Sequence, residues 1–104
     1  MDWKEAIRIA SKPLLKNHSI QEKYVDAMIQ NVEQFGPYIV LAPQIAFAHA
    51  RPEQGVNQTD ISLTVSKQLI AFSEDIKHHC KLIFVFSAAD NESHLQLLTE
   101  LSTF

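Results

Sequence analysis

The fold is decided by the stretch Gly36-Pro-Tyr-Ile-Val-Leu-Ala-Pro-Gln-Ile-Ala-Phe-Ala-His-Ala-Arg-Pro-Glu-Gln-Gly-Val56, which holds both glycines and three of the four prolines of the chain. Two short apolar runs, 38–42 and 45–50, are separated by one proline and closed by another, and this pattern predicts two strands with a turn after each. Under strand alternation, His49 shares one face of the second strand with the large apolar side chains, and alanines occupy the other face. An all-alanine face allows another element to approach closely, and it leaves His49 as the last large polar group before the chain turns.

Two helices are predicted before this stretch. The first covers 2–11, with Asp2 as its N-cap and Pro13 as its stop. The second covers 19–35, with Ser19 as its N-cap and a glycine-proline pair as its stop. Both segments carry apolar residues at helical spacing, so each is expected to bury one face.

The segment after the stretch predicts strands and one last helix. Residues 61–66 alternate apolar and polar side chains, which indicates a strand with one wet face, and 68–72 predicts a second short strand. The continuous apolar run over 81–87 indicates a strand buried on both faces at the centre of the sheet. A helix is predicted to open at 90–94. We therefore expect an α/β fold whose mixed β-sheet is flanked by helices on both sides.

The last predicted helix is still running where the sequence stops. It has no glycine cap, and its leucines form an apolar face for which the sequence supplies no packing partner. We expect one domain, 1–104, that lacks its C-terminal helices. The unpartnered leucines, Leu95, Leu98 and Leu101, would leave an apolar patch that allows a homodimer.

Composition narrows the classes of protein. With 104 residues, a 46% hydrophobic content and a net charge of −3, the chain fits one globular domain and argues against a nucleic-acid partner. No apolar run reaches the roughly 20 residues that span a bilayer, and no signal peptide is evident, so a cytoplasmic protein without membrane insertion is expected. The single cysteine excludes an internal disulfide.

Two histidines are the candidates for chemistry. His94 falls in the first turn of the last predicted helix, where unpaired backbone N–H groups favour an anion. If strands 45–50 and 81–87 are neighbours, His49 and His94 face one pocket. Two imidazoles beside a helix N-terminus suit a phosphoryl group, because one attacks phosphorus and the other donates a hydrogen bond to its oxygens. The residues alone leave open that His49 is an ordinary histidine at a strand end.

Other candidate sites are weaker. Arg51 pairs equally well with a phosphate oxygen or with Glu53. The run His78-His79-Cys80 invites a metal site, but adjacent side chains of an extended strand point to opposite faces, and no further ligand stands at metal-site spacing. We therefore predict no metal. With only two glycines there is no phosphate-binding loop, so a nucleotide cofactor is not expected either.

Four separated motifs resemble one family. They are Tyr24-Val-Asp-Ala-Met28, the segment from Gly36 to Ala46, His49-Ala-Arg-Pro-Glu-Gln-Gly-Val56, and Asp90-Asn-Glu-Ser-His94. In this order they resemble the phosphocarrier IIA domains of the bacterial sugar phosphotransferase system (PTS), of the mannitol/fructose-type superfamily. Mannitol-type members place an arginine near the position of Asn31, so the chain is more similar to the ascorbate-type branch.

The resemblance implies a mechanism. The histidine matching His49 accepts a phosphoryl group from the phosphocarrier HPr and passes it to the IIB domain of a membrane sugar transporter. The residue matching His94 assists as a second pocket histidine, and Arg51 and Ser93 are expected to support the phosphate pocket. The family uses no cofactor. Ascorbate or a related sugar is the implied cargo.

Two alternatives remain open at this level. One is a regulatory module of the same fold, whose His49 phosphorylation state controls a partner protein. The other is a small metal-binding protein that uses His78, His79 and Cys80. Transfer to a IIB domain separates the transport role from the regulatory one. Retention of a metal after chelation would support the metal-binding protein.

Overall fold

The structure, a computed structural model, describes residues 2–90 and residue 99 of the chain. Its helices and strands are α1 (Trp3–Lys16), α2 (Glu22–Phe35), β1 (Val40–Ala42), β2 (Ile45–Ala48), β3 (Asp60–Ala71) and β4 (His79–Ser87). The strand order is β1-β2-β4-β3, with β2 and β4 parallel and the other two pairs antiparallel. The predicted α/β class with a mixed sheet is confirmed.

The two helices share one hydrophobic core with one face of the sheet. The alanine face of β2, followed by Ala50, lies in this core together with residues of α1, α2 and β4. Phe47 and Phe84, whose rings stack at 5.0 Å, lie outside it on the opposite face. Both described helices thus cover the same face. The helix predicted to open at 90–94, the second helical layer and the leucine patch lie outside the described residues.

Helix α1 begins as predicted but does not end as predicted. The Asp2 side chain caps it by accepting a hydrogen bond of 2.8 Å from the Glu5 N–H. Pro13 lies inside the helix, which continues to Lys16. Pro13 lacks an N–H and its ring crowds the preceding turn, but Leu14, which is 1% exposed, anchors the last turn in the core.

Helix α2 starts later than predicted because Ser19 is not its cap. The N-cap is Gln21. Ser19 is fully buried, and the next residue, Ile20, forms an isolated β-bridge with Val56. The Ser19 hydroxyl donates to Asp60 Oδ2 at 2.7 Å and accepts from Gln58 Nε2 at 2.8 Å. Ser19 therefore ties the segment before α2 to the start of β3.

This tie gives a prediction for Ser19→Ala. The hydrogen bond from Ser19 is the main cause that lowers the pKa of Asp60. A lowered folded-state pKa contributes stability that is present above the ordinary carboxyl pKa and is lost as the pH falls through the folded value. We expect Ser19→Ala to cost about 1–2 kcal/mol of unfolding free energy at neutral pH, and less in acid. Urea unfolding at several pH values measures this.

The matched control is Asp60→Asn, which keeps the shape of the side chain without the titration. In that background the cost of Ser19→Ala should no longer vary with pH. A cost that stays equally pH-dependent would assign the effect to another carboxyl.

Strand β3 differs from the prediction in two ways. It is one strand with a register shift between Val65 and Ile70, where two strands were predicted. Over residues 61–65 its apolar side chains are the exposed ones, with Val65 at 67%, while Ser62 donates to the Ala10 carbonyl of α1 at 2.7 Å. A small hydroxyl side chain lets the helix approach closely, and a helix carbonyl accepts its hydrogen bond. The alternation of apolar and polar residues alone does not reveal which of the two faces packs against the helix.

Within residues 2–90, neither helix is long and apolar enough to cross a bilayer.

Candidate functional site

The candidate site lies at the edge where β2 and β4 end. These strands run parallel, with Ala48 opposite Val85, so the segments that follow them leave the sheet side by side. His49 comes directly after β2, and Ala88 to Asp90 come after β4. The two strands are neighbours, which is the condition on which the sequence placed His49 and His94 at one pocket. Ser93 and His94, the other predicted site residues on this edge, lie outside the described residues.

His49 is held in an aromatic pocket. Its side chain is buried, and its ring stacks on Phe86 with centroids 4.8 Å apart and an interplanar angle of 16°. Tyr38 meets the same ring edge-on at 5.3 Å and 83°. These two contacts restrict the ring to a narrow range of orientations, as a reacting group requires.

One hydrogen bond determines which nitrogen of the neutral His49 ring carries the proton. His49 Nδ1 lies 2.7 Å from the backbone oxygen of Phe47. A carbonyl oxygen can only accept, so Nδ1 carries the proton and Nε2 carries the lone pair. The ring therefore has the tautomer of a nucleophile that reacts through Nε2.

Tyr24 ties the two strand ends together. It comes from α2, is fully buried, and places its hydroxyl 2.8 Å from the Phe86 oxygen and 3.2 Å from the Ala50 oxygen. The same hydroxyl accepts from the Ala50 N–H at 3.0 Å. Burial raises the pKa of Tyr24, so the phenol stays neutral and keeps the proton that it donates.

Arg51 follows His49 by two residues. It is exposed, and its backbone N–H donates to Gln54 Oε1 at 3.1 Å at the start of a short 3₁₀ helix, Pro52–Gln54. Within the described residues, the Arg51 side chain forms no ion pair with Glu53 or any other carboxylate. The sequence left two partners open for Arg51, a phosphate oxygen and Glu53, and the ion pair with Glu53 is not formed.

Gly55 closes the turn after His49 and gives a second prediction. Its φ is +128°, and an added Cβ would lie 3.0 Å from Lys23 Cγ and 3.1 Å from the Tyr24 backbone nitrogen. We expect Gly55→Ala to cost about 2–4 kcal/mol of unfolding free energy, from backbone strain and overlap together. The matched control is Gly36→Ala, where φ is +85° but no atom lies within 4 Å, so strain alone should cost about 1–2 kcal/mol. Equal costs by urea unfolding would contradict the close contact.

The histidine pair beside Cys80 is engaged in ordinary hydrogen bonds. His78 Nδ1 lies 2.8 Å from the Ser73 hydroxyl, and His79 Nε2 lies 3.2 Å from the Ser73 oxygen. Cys80 is buried, and burial raises its pKa to about 11. The part of the chain that the structure describes holds no group of three or more metal-ligating side chains.

Three residues of the site were missed by sequence reasoning. Tyr24, Tyr38 and Phe86 were placed in motifs or apolar runs without a role around His49. A signal existed for Tyr24, since a tyrosine on the buried face of a helix needs a partner for its hydroxyl. The identity of that partner depends on the fold, because Phe86 and Tyr24 are far apart in the sequence.

Comparisons with known proteins give a family match and several relatives of known structure. Over residues 1–104 the chain matches the family model described as phosphoenolpyruvate-dependent sugar phosphotransferase system, EIIA 2. It is 35% identical over 95 residues to the ascorbate-specific PTS system EIIA component of Escherichia coli strain K12, covering 91% of this chain but only 62% of that relative. The chain is therefore similar to a part of that longer protein.

Two solved structures share the fold. The solution structure of the mannitol-specific cryptic phosphotransferase enzyme IIA CmtB from Escherichia coli has a TM-score of 0.87 and 39% identity, covering 98% of this chain and 69% of that one. The complex of the mannitol enzyme IIA with phosphorylated enzyme IIB from Escherichia coli has a TM-score of 0.82 and 28% identity, covering 98% of this chain and 70% of that one. Relatives named for ascorbate and for mannitol thus both resemble the chain.

Proposed function

The chain belongs to the EIIA 2 family of the phosphoenolpyruvate-dependent sugar phosphotransferase system, and we propose that it is a phosphocarrier that receives a phosphoryl group from HPr on His49 and passes it to a IIB domain. The observation that carries this proposal is the hydrogen bond of 2.7 Å between His49 Nδ1 and the Phe47 oxygen. It prepares one ring nitrogen, Nε2, as the nucleophile.

The first step is attack of Nε2 on phosphorus. The Nε2 lone pair forms the new P–N bond, while the bond between phosphorus and the donor's ring nitrogen breaks and its electron pair returns to the donor. His49 keeps its proton on Nδ1 and becomes a phosphorylated, positively charged ring. The Phe47 oxygen stabilises that charge by accepting from Nδ1, and the face of Phe86, 4.8 Å away, favours a cation next to it.

The transferred group carries negative charge that needs donors. Arg51 is the exposed cation two residues from His49, and we assign it to the phosphoryl oxygens. His94 and Ser93 complete the proposed pocket on the strength of the family resemblance, with His94 as a hydrogen-bond donor that never carries the phosphoryl group. Phosphoryl transfer needs little more than such positioning and charge stabilisation, so no metal or nucleotide enters the proposal.

The second step hands the group to a IIB domain in the cytoplasm. Support comes from the mannitol relative, whose structure is a complex of enzyme IIA with phosphorylated enzyme IIB. For the transported sugar we propose ascorbate or a related compound. Identity alone does not separate the branches, since the ascorbate relative is 35% and CmtB 39% identical. Asn31, at the position where mannitol-type members have arginine, favours ascorbate.

The transfer step is tested by a chase. The chain is phosphorylated with phosphoenolpyruvate, enzyme I and HPr, purified, and mixed with the IIB domain of an ascorbate or a mannitol system. We expect the phosphoryl group to move to the ascorbate-type IIB faster than to the other, as followed by intact mass. A chain that is phosphorylated but transfers to neither IIB would contradict the transport role and support the regulatory one.

A further inference from the structure

The peptide group between His49 and Ala50 is held by two tyrosine hydroxyls. Its carbonyl accepts a hydrogen bond from Tyr38 at 2.9 Å, and its N–H donates to the Tyr24 hydroxyl at 3.0 Å. We propose that Tyr24 and Tyr38 are positioning residues, which fix this peptide plane and thereby the orientation of the His49 ring. The expected effect on the phosphorylation rate rests on the proposed function, whereas the expected effect on the His49 ring does not.

The peptide plane controls the ring because the two share the His49 Cα. A rotation of this peptide plane would move the His49 Cα and the Cα–Cβ bond that carries the ring. That movement would pull Nδ1 away from the Phe47 oxygen, to which it is 2.7 Å distant. Two hydroxyls on one peptide group, one at each edge, prevent such a turn. The Nδ1–H tautomer is thus secured through the backbone.

Tyr24 also fixes the surface on which the ring stacks. Its hydroxyl lies 2.8 Å from the Phe86 backbone oxygen, so one phenol contacts both the segment that carries His49 and the strand that carries Phe86. Tyr24 therefore connects the backbones of the two segments whose rings stack at 4.8 Å. Both hydroxyls bond to the backbone peptide that follows the His49 ring, which is why both tyrosines are positioning residues.

Tyr38 holds the outer side of the site. Its ring meets the His49 ring edge-on at 5.3 Å, and its side chain is hydrogen-bonded with Asn31 of α2. Burial raises the pKa of Tyr38, and a carbonyl can only accept, so the phenol donates its proton to the His49 oxygen. At 36% exposure Tyr38 lies where water can replace its hydroxyl, so its removal should leave the fold intact.

The test variant is Tyr38→Phe, which removes one hydroxyl and keeps the ring. Nitrogen-15 NMR of the unphosphorylated chain reports which ring nitrogen of His49 carries the proton. We expect the Nδ1–H tautomer to dominate in the wild type and a second tautomer to become detectable in the variant. Phosphorylation by HPr should slow about three- to tenfold, the effect of losing one positioning hydrogen bond.

Ser62→Ala is the matched control. It also deletes one hydroxyl that donates to a backbone carbonyl, at 2.7 Å, but between β3 and α1. We expect a similar small loss of stability, with the His49 ring spectrum and the phosphorylation rate unchanged. Identical His49 spectra in Tyr38→Phe and in Ser62→Ala would overturn the inference. Absence of phosphorylation in the wild type would instead overturn the proposed function, while the ring spectra would still decide the positioning role.

Discussion

Replacing His49 with alanine is expected to abolish phosphorylation of the chain by HPr and to leave the fold in place. Alanine has no ring nitrogen, so no P–N bond can form at this position, and His94 is assigned as a hydrogen-bond donor that does not carry the phosphoryl group. The stability cost should be about 1–3 kcal/mol, because the buried ring leaves a gap between Phe86 and Tyr38 at the end of a strand. That cost is tolerable against a typical total of about 5–15 kcal/mol.

Intact mass and circular dichroism together measure this result. The control is His79→Ala, which removes another half-buried histidine whose Nε2 contacts only the Ser73 oxygen among the hydrogen bonds described. We expect normal phosphorylation of the control and none of His49→Ala, with both proteins folded. Normal phosphorylation of His49→Ala would show that another residue carries the phosphoryl group.

Replacing Tyr24 with phenylalanine destabilises the whole domain by about 2–4 kcal/mol. The change removes one oxygen atom, but it leaves the Ala50 N–H and the Phe86 carbonyl without that partner in a site closed to water. A buried N–H that loses its partner costs about 1–3 kcal/mol, and the two strand ends lose the hydrogen bonds that connect them through α2. Urea unfolding of the variant should show a lower midpoint with an unchanged slope.

Tyr38→Phe is the matched comparison for Tyr24→Phe. Both changes delete a phenolic oxygen that is bonded to the same peptide group, but Tyr38 is 36% exposed and Tyr24 is fully buried. We expect a loss of about 1 kcal/mol or less for Tyr38→Phe, since water can replace its hydroxyl. Equal losses for the two variants would contradict the role of burial at Tyr24.

The sequence predicts the centre of the fold well because its signals there are local. The alternation of alanines with Phe47 and His49 assigns both faces of β2, and the apolar run identifies β4 as an interior strand. Parallel pairing of the two then brings their ends to one edge. The position of His49 at the candidate site follows from these local patterns and needs no knowledge of side-chain contacts.

The errors arise where distant residues decide. Ser19 has the spacing of a helix cap, but Asp60 offers its hydroxyl a stronger, charged partner across the fold. Pro13 has the form of a helix stop, but burial of Leu14 carries the helix past it. Tyr24 appears as one apolar position of α2, although its hydroxyl meets Ala50 and Phe86. None of these long-range partners is visible in the spacing of neighbouring residues.

The most direct test of the phosphocarrier role is the intact mass of the chain after incubation with phosphoenolpyruvate, enzyme I and HPr. The sample is divided between neutral and acidic buffer, because a phosphohistidine is stable in the first and is hydrolysed in the second. We predict a gain of one phosphoryl group at neutral pH that is lost in acid and that fragmentation places on His49. A folded chain that gains no phosphoryl group, or gains one that survives acid, would contradict the role assigned to His49.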